Sequence, residues 1–183
     1  MAAKRKAKKR PLKKGKKNAA APAANHDRAL RRQLTEILTW EGAHVNWRTA
    51  LQDLPVEKRG LRPEGFPHSP WELLEHARIT QRDILDFCIN PKYKALEWPS
   101  GYWPKAPAPA DDSAWDRSVS AFEADTKAMS KLIENPKTDL FAKIPHGTGQ
   151  TYLREAVLLA DHSAYHLGQL VLVRRLLGAW KET

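Results

Sequence analysis

Apolar residues recur along the chain with the period of an α-helix, and no segment sustains the alternation that is typical of a β-strand. In the first periodic segment the apolar positions fall on one arc of a 3.6-residue repeat: Leu30, Leu34, Ile37, Leu38, Val45 and Leu51. This pattern predicts a helix from about residue 27 to residue 52, ending before Pro55.

The second periodic segment begins at a capping sequence. Ser69 is placed as the N-cap, Pro70 takes the first helical position, and Glu72 completes a capping box. The helix is expected to run to about Cys88. Its inner arc carries Leu73, Leu74, Ala77, Thr80, Ile84, Phe87 and Cys88.

Two further helices follow. The third starts near Ser113, with an inner stripe stepping by four and three: Trp115, Val119, Phe122, Thr126, Met129 and Ile133. The fourth runs from about Thr151 to Leu177, with Gly178 as its stop. It is apolar on nearly all sides, so it is predicted to be central or to pack on a second surface such as a homodimer partner.

These elements predict an all-α fold, a four-helix bundle with long linkers. Residues 27–183 are expected to form one domain, which suits a chain of 183 residues. The linker at residues 89–112 is long enough to cross the bundle, so simple up-down order is not required.

Composition excludes several classes of protein. No apolar run approaches the roughly 18 residues that span a bilayer, so no membrane span is predicted. The basic N-terminus has no apolar segment behind it, so we expect no secretory signal. The single cysteine, Cys88, excludes an intramolecular disulfide and a multi-cysteine metal site. A reducing compartment is the default, and we expect a cytoplasmic location.

The net charge of +10 resides in the N-terminal tail. Residues 1–17 hold ten lysines and arginines and no acidic residue, which leaves 21 basic and 21 acidic residues in the remainder. Residues 1–26 are therefore predicted to be a disordered, Lys/Arg-rich tail. It is either a solubilising segment or a polybasic arm that contacts nucleic acid non-specifically, without base stacking because no aromatic residue is interleaved.

Three histidines are the strongest candidates for chemistry. His162 and His166 are spaced i, i+4, so both imidazoles leave one helix face, as two ligands of one metal or as two hydrogen-bonded core residues. His76, at the rim of the second helix, can reach inward as a third ligand. Gln169 is placed to hold a water or support a ligand, and Asp83 to orient a ligand or form a salt bridge.

The inner arc of the first helix also carries polar residues. Glu41, His44 and Arg48 lie there among leucines. Either Glu41 and Arg48 form a buried ion pair with His44 as a partner, or the three residues line a polar cavity that faces the metal. In the second case Glu41 or His44 is the candidate proton carrier. His68 and His146 lie in linkers and are expected at the surface.

Residues 93–104 concentrate aromatic side chains, namely Tyr93, Trp98, Tyr102 and Trp103. Such side chains are expected to pack rather than to stand free. They either cover the outside of the bundle or roof a pocket over the open metal position.

Four segments of the chain form a recognisable combination: SPWELLEH at residues 69–76, QRDIL at 81–85, DHSAYHLGQL at 161–170 and RRLLG at 174–178. This combination resembles the DinB-like (DNA-damage-inducible) metalloenzyme superfamily. The resemblance covers about residues 27–180 and leaves the basic tail unexplained. The loop at residues 97–104 is not part of the general pattern and suggests a subgroup.

The resemblance implies a four-helix bundle, often dimeric, with a divalent metal held by His76, His162 and His166. Zinc and nickel both suit imidazole ligands. It also implies a metal-dependent enzyme acting on an unknown small molecule, either a hydrolase or a thiol-dependent transferase. The alternative is a non-catalytic helical binding module whose polybasic tail contacts nucleic acid.

Overall fold

Five α-helices make up most of residues 20–39 and 42–181, which the computed structural model describes. They are α1 (Ala20–Thr39), α2 (Trp47–Leu51), α3 (Pro70–Ile89), α4 (Asp112–Glu134) and α5 (Tyr152–Leu176). Short 3-10 turns lie at Val56–Lys58 and Ser100–Tyr102. No strand occurs in these ranges, so the predicted all-α class is confirmed. None of these helices is long and apolar enough to cross a membrane.

The first predicted helix differs from the observed one at both ends. Helix α1 begins at Ala20 and ends at Thr39, and the chain turns helical again only at Trp47. The new start has its own cap, because Asn46 Oδ1 accepts from Thr49 N at 2.9 Å. The prediction of one helix over residues 27–52 was therefore wrong. Residues 20–26 of the predicted disordered tail are part of α1, and residues 1–19 of the tail lie outside the described residues.

The later helices begin and end close to their predicted limits. At the start of α3 the capping box is complete: Ser69 Oγ accepts from Glu72 N at 3.2 Å, and Glu72 Oε2 accepts from Ser69 N at 2.8 Å. Thr151 caps α5 through its side chain. Gly178 follows α5 with a φ of 60°, the left-handed conformation that favours glycine after a helix.

The order of the helices around the bundle is not the simple up-down one. Helix α3 packs against α4 and α5, and α1 packs against the same two helices, so α1 and α3 lie diagonally across the bundle. The connection that crosses from one side to the other is therefore residues 40–69. The aromatic linker at residues 90–111 joins neighbouring helices, α3 and α4.

A polar layer separates two apolar clusters in the core. One cluster contains Leu74 on α3 and Leu167 on α5, and the other contains Leu85 and Leu159 on the same helices. The buried polar side chains between them are those of His76, Gln81, Thr126 and His166. Polar groups in such a position need partners or a function, because burying them unpaired costs free energy.

Candidate metal centre

Helices α3 and α5 bring three imidazoles together in the polar layer. His76 lies on α3, and His162 and His166 lie one turn apart on α5. One ligand atom from each lies within 4.8 Å of the other two, and the Nε2 atoms of His76 and His162 are 3.2 Å apart. The spacing predicted from the sequence therefore places all three side chains at one point.

Two of the three rings are oriented by a hydrogen bond at Nδ1. His76 Nδ1 donates to the backbone carbonyl of Tyr102 at 2.7 Å, which leaves its Nε2 lone pair directed at the cluster. His166 Nδ1 donates to Gln169 Oε1 at 2.7 Å, so Gln169 supports a candidate ligand as its position predicts. Such partners fix the tautomer and orientation of a metal-binding histidine.

The surroundings favour neutral imidazoles. Burial lowers the pKa of all three rings, and the neighbouring imidazoles add to this effect at His162 and His166. The pKa of His162 falls to about 4 and that of His166 to about 3. At neutral pH each ring therefore carries a free lone pair, which is the form that binds metal.

These residues fit a divalent ion by their donors and by their spacing. Three neutral imidazole nitrogens would supply three ligands to such an ion and would leave a further position open for water or a substrate. Imidazole suits both zinc and nickel and does not distinguish them strongly. His162 Nδ1 is buried without a hydrogen-bond partner in the described part of the chain.

His44 does not lie with the three histidines. His44 is exposed, with its Nδ1 2.8 Å from the Val45 carbonyl, and it lines a groove with Ala164 of α5. Ala164 lies roughly 160–180° around α5 from His162 and His166, so His44 is on the far side of that helix.

The alternative role of the first-helix residues, a buried ion pair, does not fit Arg48, the member of the pair that the structure describes. Arg48 is exposed and pairs with Glu123 at 3.2 Å. Glu41 lies outside the described residues. The break after α1 explains the difference, because residues 42–46 are not helical and the single arc predicted from the sequence does not continue through them.

The aromatic loop, residues 93–104, contacts the histidine cluster through the ring of Trp103. The Trp103 indole stacks on the His76 ring at 3.9 Å between centroids and 5° between planes, and its other face stacks on His68 at 4.1 Å. Trp98 is 79% exposed, so the expectation that all four rings pack was wrong for this one. His68 is half-buried rather than a free surface residue, whereas His146 is exposed as expected.

Asp83 contacts the same loop. Its carboxylate accepts hydrogen bonds from the hydroxyls of Tyr93 and Tyr102. Sequence reasoning placed Asp83 on the His76 face of the helix but missed these partners, because residues 93–104 carry no periodicity that indicates where a linker folds back.

Comparison with known proteins agrees with the geometry. The family model of the DinB superfamily matches residues 39–170, which include all three histidines. No curated protein matches the chain, and no solved structure does. The match extends over more than half of the sequence, and its helices carry the histidine cluster described above. The chain therefore belongs to the DinB superfamily.

Proposed function

We propose that this protein is a metal-dependent enzyme in which His76, His162 and His166 hold one divalent ion, zinc or nickel. The observation that carries the proposal is the convergence of three imidazoles, two buried and one half-buried, with ligand atoms within 4.8 Å of one another. A bound ion of this kind polarises a carbonyl, or lowers the pKa of a bound water or thiol toward neutrality.

The chain's own residues orient and shield this site. The Tyr102 carbonyl and Gln169 hold two of the rings, and Trp103 covers one face of His76. An indole there excludes water from that side of the cluster and gives the site an apolar wall. A polar centre with an apolar wall suits a small organic substrate, and the reaction is either hydrolysis or thiol-dependent group transfer.

Cobalt(II) substitution tests this function and separates its two forms. Metal-free full-length protein loaded with cobalt(II) should give the absorption of a low-coordinate site with one ion per chain. Adding a small thiol should produce a sulfur-to-cobalt charge-transfer band if the fourth position accepts a thiolate, as a thiol-dependent transferase requires. A normal cobalt spectrum that no thiol alters would favour a hydrolase, and absence of any cobalt spectrum would contradict both.

We also propose that the chain forms a homodimer through α1 and α5. A largely apolar groove of about 470 Å³ lies between these helices, and it includes Ile37 and Val157, which are more than half exposed. Burying such a face against its copy removes apolar surface from water.

Sedimentation of the full chain at micromolar concentration should show twice the 20.8 kDa mass of one chain. Val157→Glu should shift the protein to monomer, because it places a charge in the buried face. Leu61→Glu is the matched control, since Leu61 is similarly exposed but lies in a loop away from this groove. A wild-type protein that sediments only as a monomer would contradict the proposal.

The alternative function, a non-catalytic binding module, depends on the basic residues at 1–17. These lie outside the described residues, so contact with nucleic acid stays a prediction. A cytoplasmic location likewise stays a prediction from the single cysteine.

A further inference from the structure

The aromatic loop is tied to α3 at a second point besides His76. Asp83 Oδ1 accepts from the Tyr93 hydroxyl at 2.9 Å, and its Oδ2 accepts from the Tyr102 hydroxyl at 3.0 Å. Burial, together with these hydrogen bonds to Asp83, raises the pKa of both phenols, so they stay protonated and act as donors. One carboxylate therefore holds two positions of the loop.

Tyr102 links this anchor to the candidate metal centre. Its hydroxyl is bound by Asp83, while its backbone carbonyl accepts the proton on His76 Nδ1 at 2.7 Å. The next residue, Trp103, stacks on the His76 ring. The hydrogen bond and the stacking contact that orient His76 thus come from two adjacent residues, Tyr102 and Trp103. Asp83 holds the side chain of Tyr102.

Asp83 and His76 lie on the same rigid element. They are seven residues apart on α3, about 10 Å along the helix axis. Helix α3 therefore carries the His76 imidazole and, two turns further on, the Asp83 carboxylate. Asp83 holds Tyr102, whose carbonyl accepts the hydrogen bond from His76. No ion pair to Asp83 occurs among the residues that the structure describes, so its carboxylate serves the two tyrosines.

We propose that Asp83 is a positioning residue for the metal centre: by holding Tyr102 it keeps the proton of His76 on Nδ1 and the lone pair of Nε2 facing the cluster. This inference rests on the proposed function for its effect on metal affinity. Its effect on the tautomer of His76 applies to the metal-free protein as well.

The tautomer gives a readout that a merely structural role does not change. In metal-free full-length protein labelled with ¹⁵N-histidine, the wild-type His76 resonances should show a single tautomer protonated at Nδ1. Asp83→Ala should give averaged ¹⁵N shifts, because the released carbonyl no longer selects one tautomer. Asp83→Asn should restore most of the wild-type pattern, since the amide can accept from one phenol and donate to the other.

Metal affinity gives the second readout. Cobalt(II) competition against a chelator should show about 10- to 100-fold weaker binding in Asp83→Ala, the range for loss of an outer partner of a ligand. Tyr102→Phe should weaken binding in the same direction, because it removes the hydroxyl that Asp83 holds. Asp86→Ala is the matched control: Asp86 lies on the same helix but contacts Asn90 and Arg82 instead of the loop tyrosines.

The outcomes separate this inference from the proposed function. If the wild-type protein binds no metal, the proposed function fails, while the tautomer measurement still tests the role of Asp83. If the wild type binds cobalt and Asp83→Ala retains both the single tautomer and the wild-type affinity, the positioning role of Asp83 is overturned. If Asp86→Ala changes the tautomer or the affinity as much as Asp83→Ala does, the effect is general to the helix and the inference is also overturned.

Discussion

Replacing His162 by alanine should abolish stoichiometric binding of a divalent ion while leaving the bundle folded. The variant removes one of three imidazoles whose ligand atoms lie within 4.8 Å of one another, so two nitrogens remain to hold the ion. Loss of an outer partner costs 10- to 100-fold in affinity, and we expect loss of a ligand to cost more than about 100-fold. His162 is only half-buried, so its truncation leaves the apolar core intact.

Isothermal titration with zinc, read beside the far-ultraviolet circular dichroism of each variant, measures this effect. His146→Ala is the matched control, because His146 is an exposed histidine outside the cluster and is hydrogen-bonded to the Phe87 carbonyl. The control should bind one zinc per chain with wild-type affinity. Wild-type affinity in His162→Ala, or an equal loss in His146→Ala, would contradict the assignment of His162 as a ligand.

Replacing Arg174 by methionine should lower the free energy of unfolding by at least about 1.5–3 kcal/mol, the range for losing a hydrogen bond from a charged donor. Arg174 is 4% exposed, and its guanidinium donates to the carbonyls of Ala50, Gln52 and Ala179. It therefore ties the end of α5 to the end of α2. Methionine keeps the apolar stem but leaves these carbonyls without their donor.

Urea denaturation followed by circular dichroism measures the loss. Arg174→Lys should recover only part of it, because one ammonium group cannot reach three carbonyls in the geometry of a planar guanidinium. Arg175→Met is the control, since Arg175 is the exposed neighbour on the same turn, and its variant should change stability by less than about 1 kcal/mol. Equal losses at the two positions would show that Arg174 has no special structural role.

The limits of the later helices could be predicted because local chemistry determines them. Ser69, Pro70 and Glu72 form a helix start whatever surrounds them, and Gly178 suits the left-handed position after a helix. The non-helical segment at residues 42–46 could not be predicted from periodicity, because Val45 and Leu51 continue the apolar spacing of α1 by coincidence. The diagonal placement of α1 and α3 depends on tertiary packing, which no linker length specifies.

Some features of the candidate site could likewise be predicted from the sequence, and others could not. His162 and His166 share a helix face because of their spacing, so their approach to His76 follows from the bundle itself. The support given by Tyr102 is a backbone carbonyl, and a carbonyl has no signature in the sequence. The stacking of His68 on Trp103 joins two linkers, whose paths depend on contacts distant along the chain.

X-ray absorption at the metal edge is the most direct test of the three-histidine centre. Full-length protein prepared without an affinity tag and loaded with zinc should contain one ion per chain. The first shell should show three imidazole nitrogens at about 2.0–2.1 Å and one further light atom. A chain that binds no zinc after dialysis, or a zinc ion whose first shell lacks imidazole scattering, would contradict the assignment.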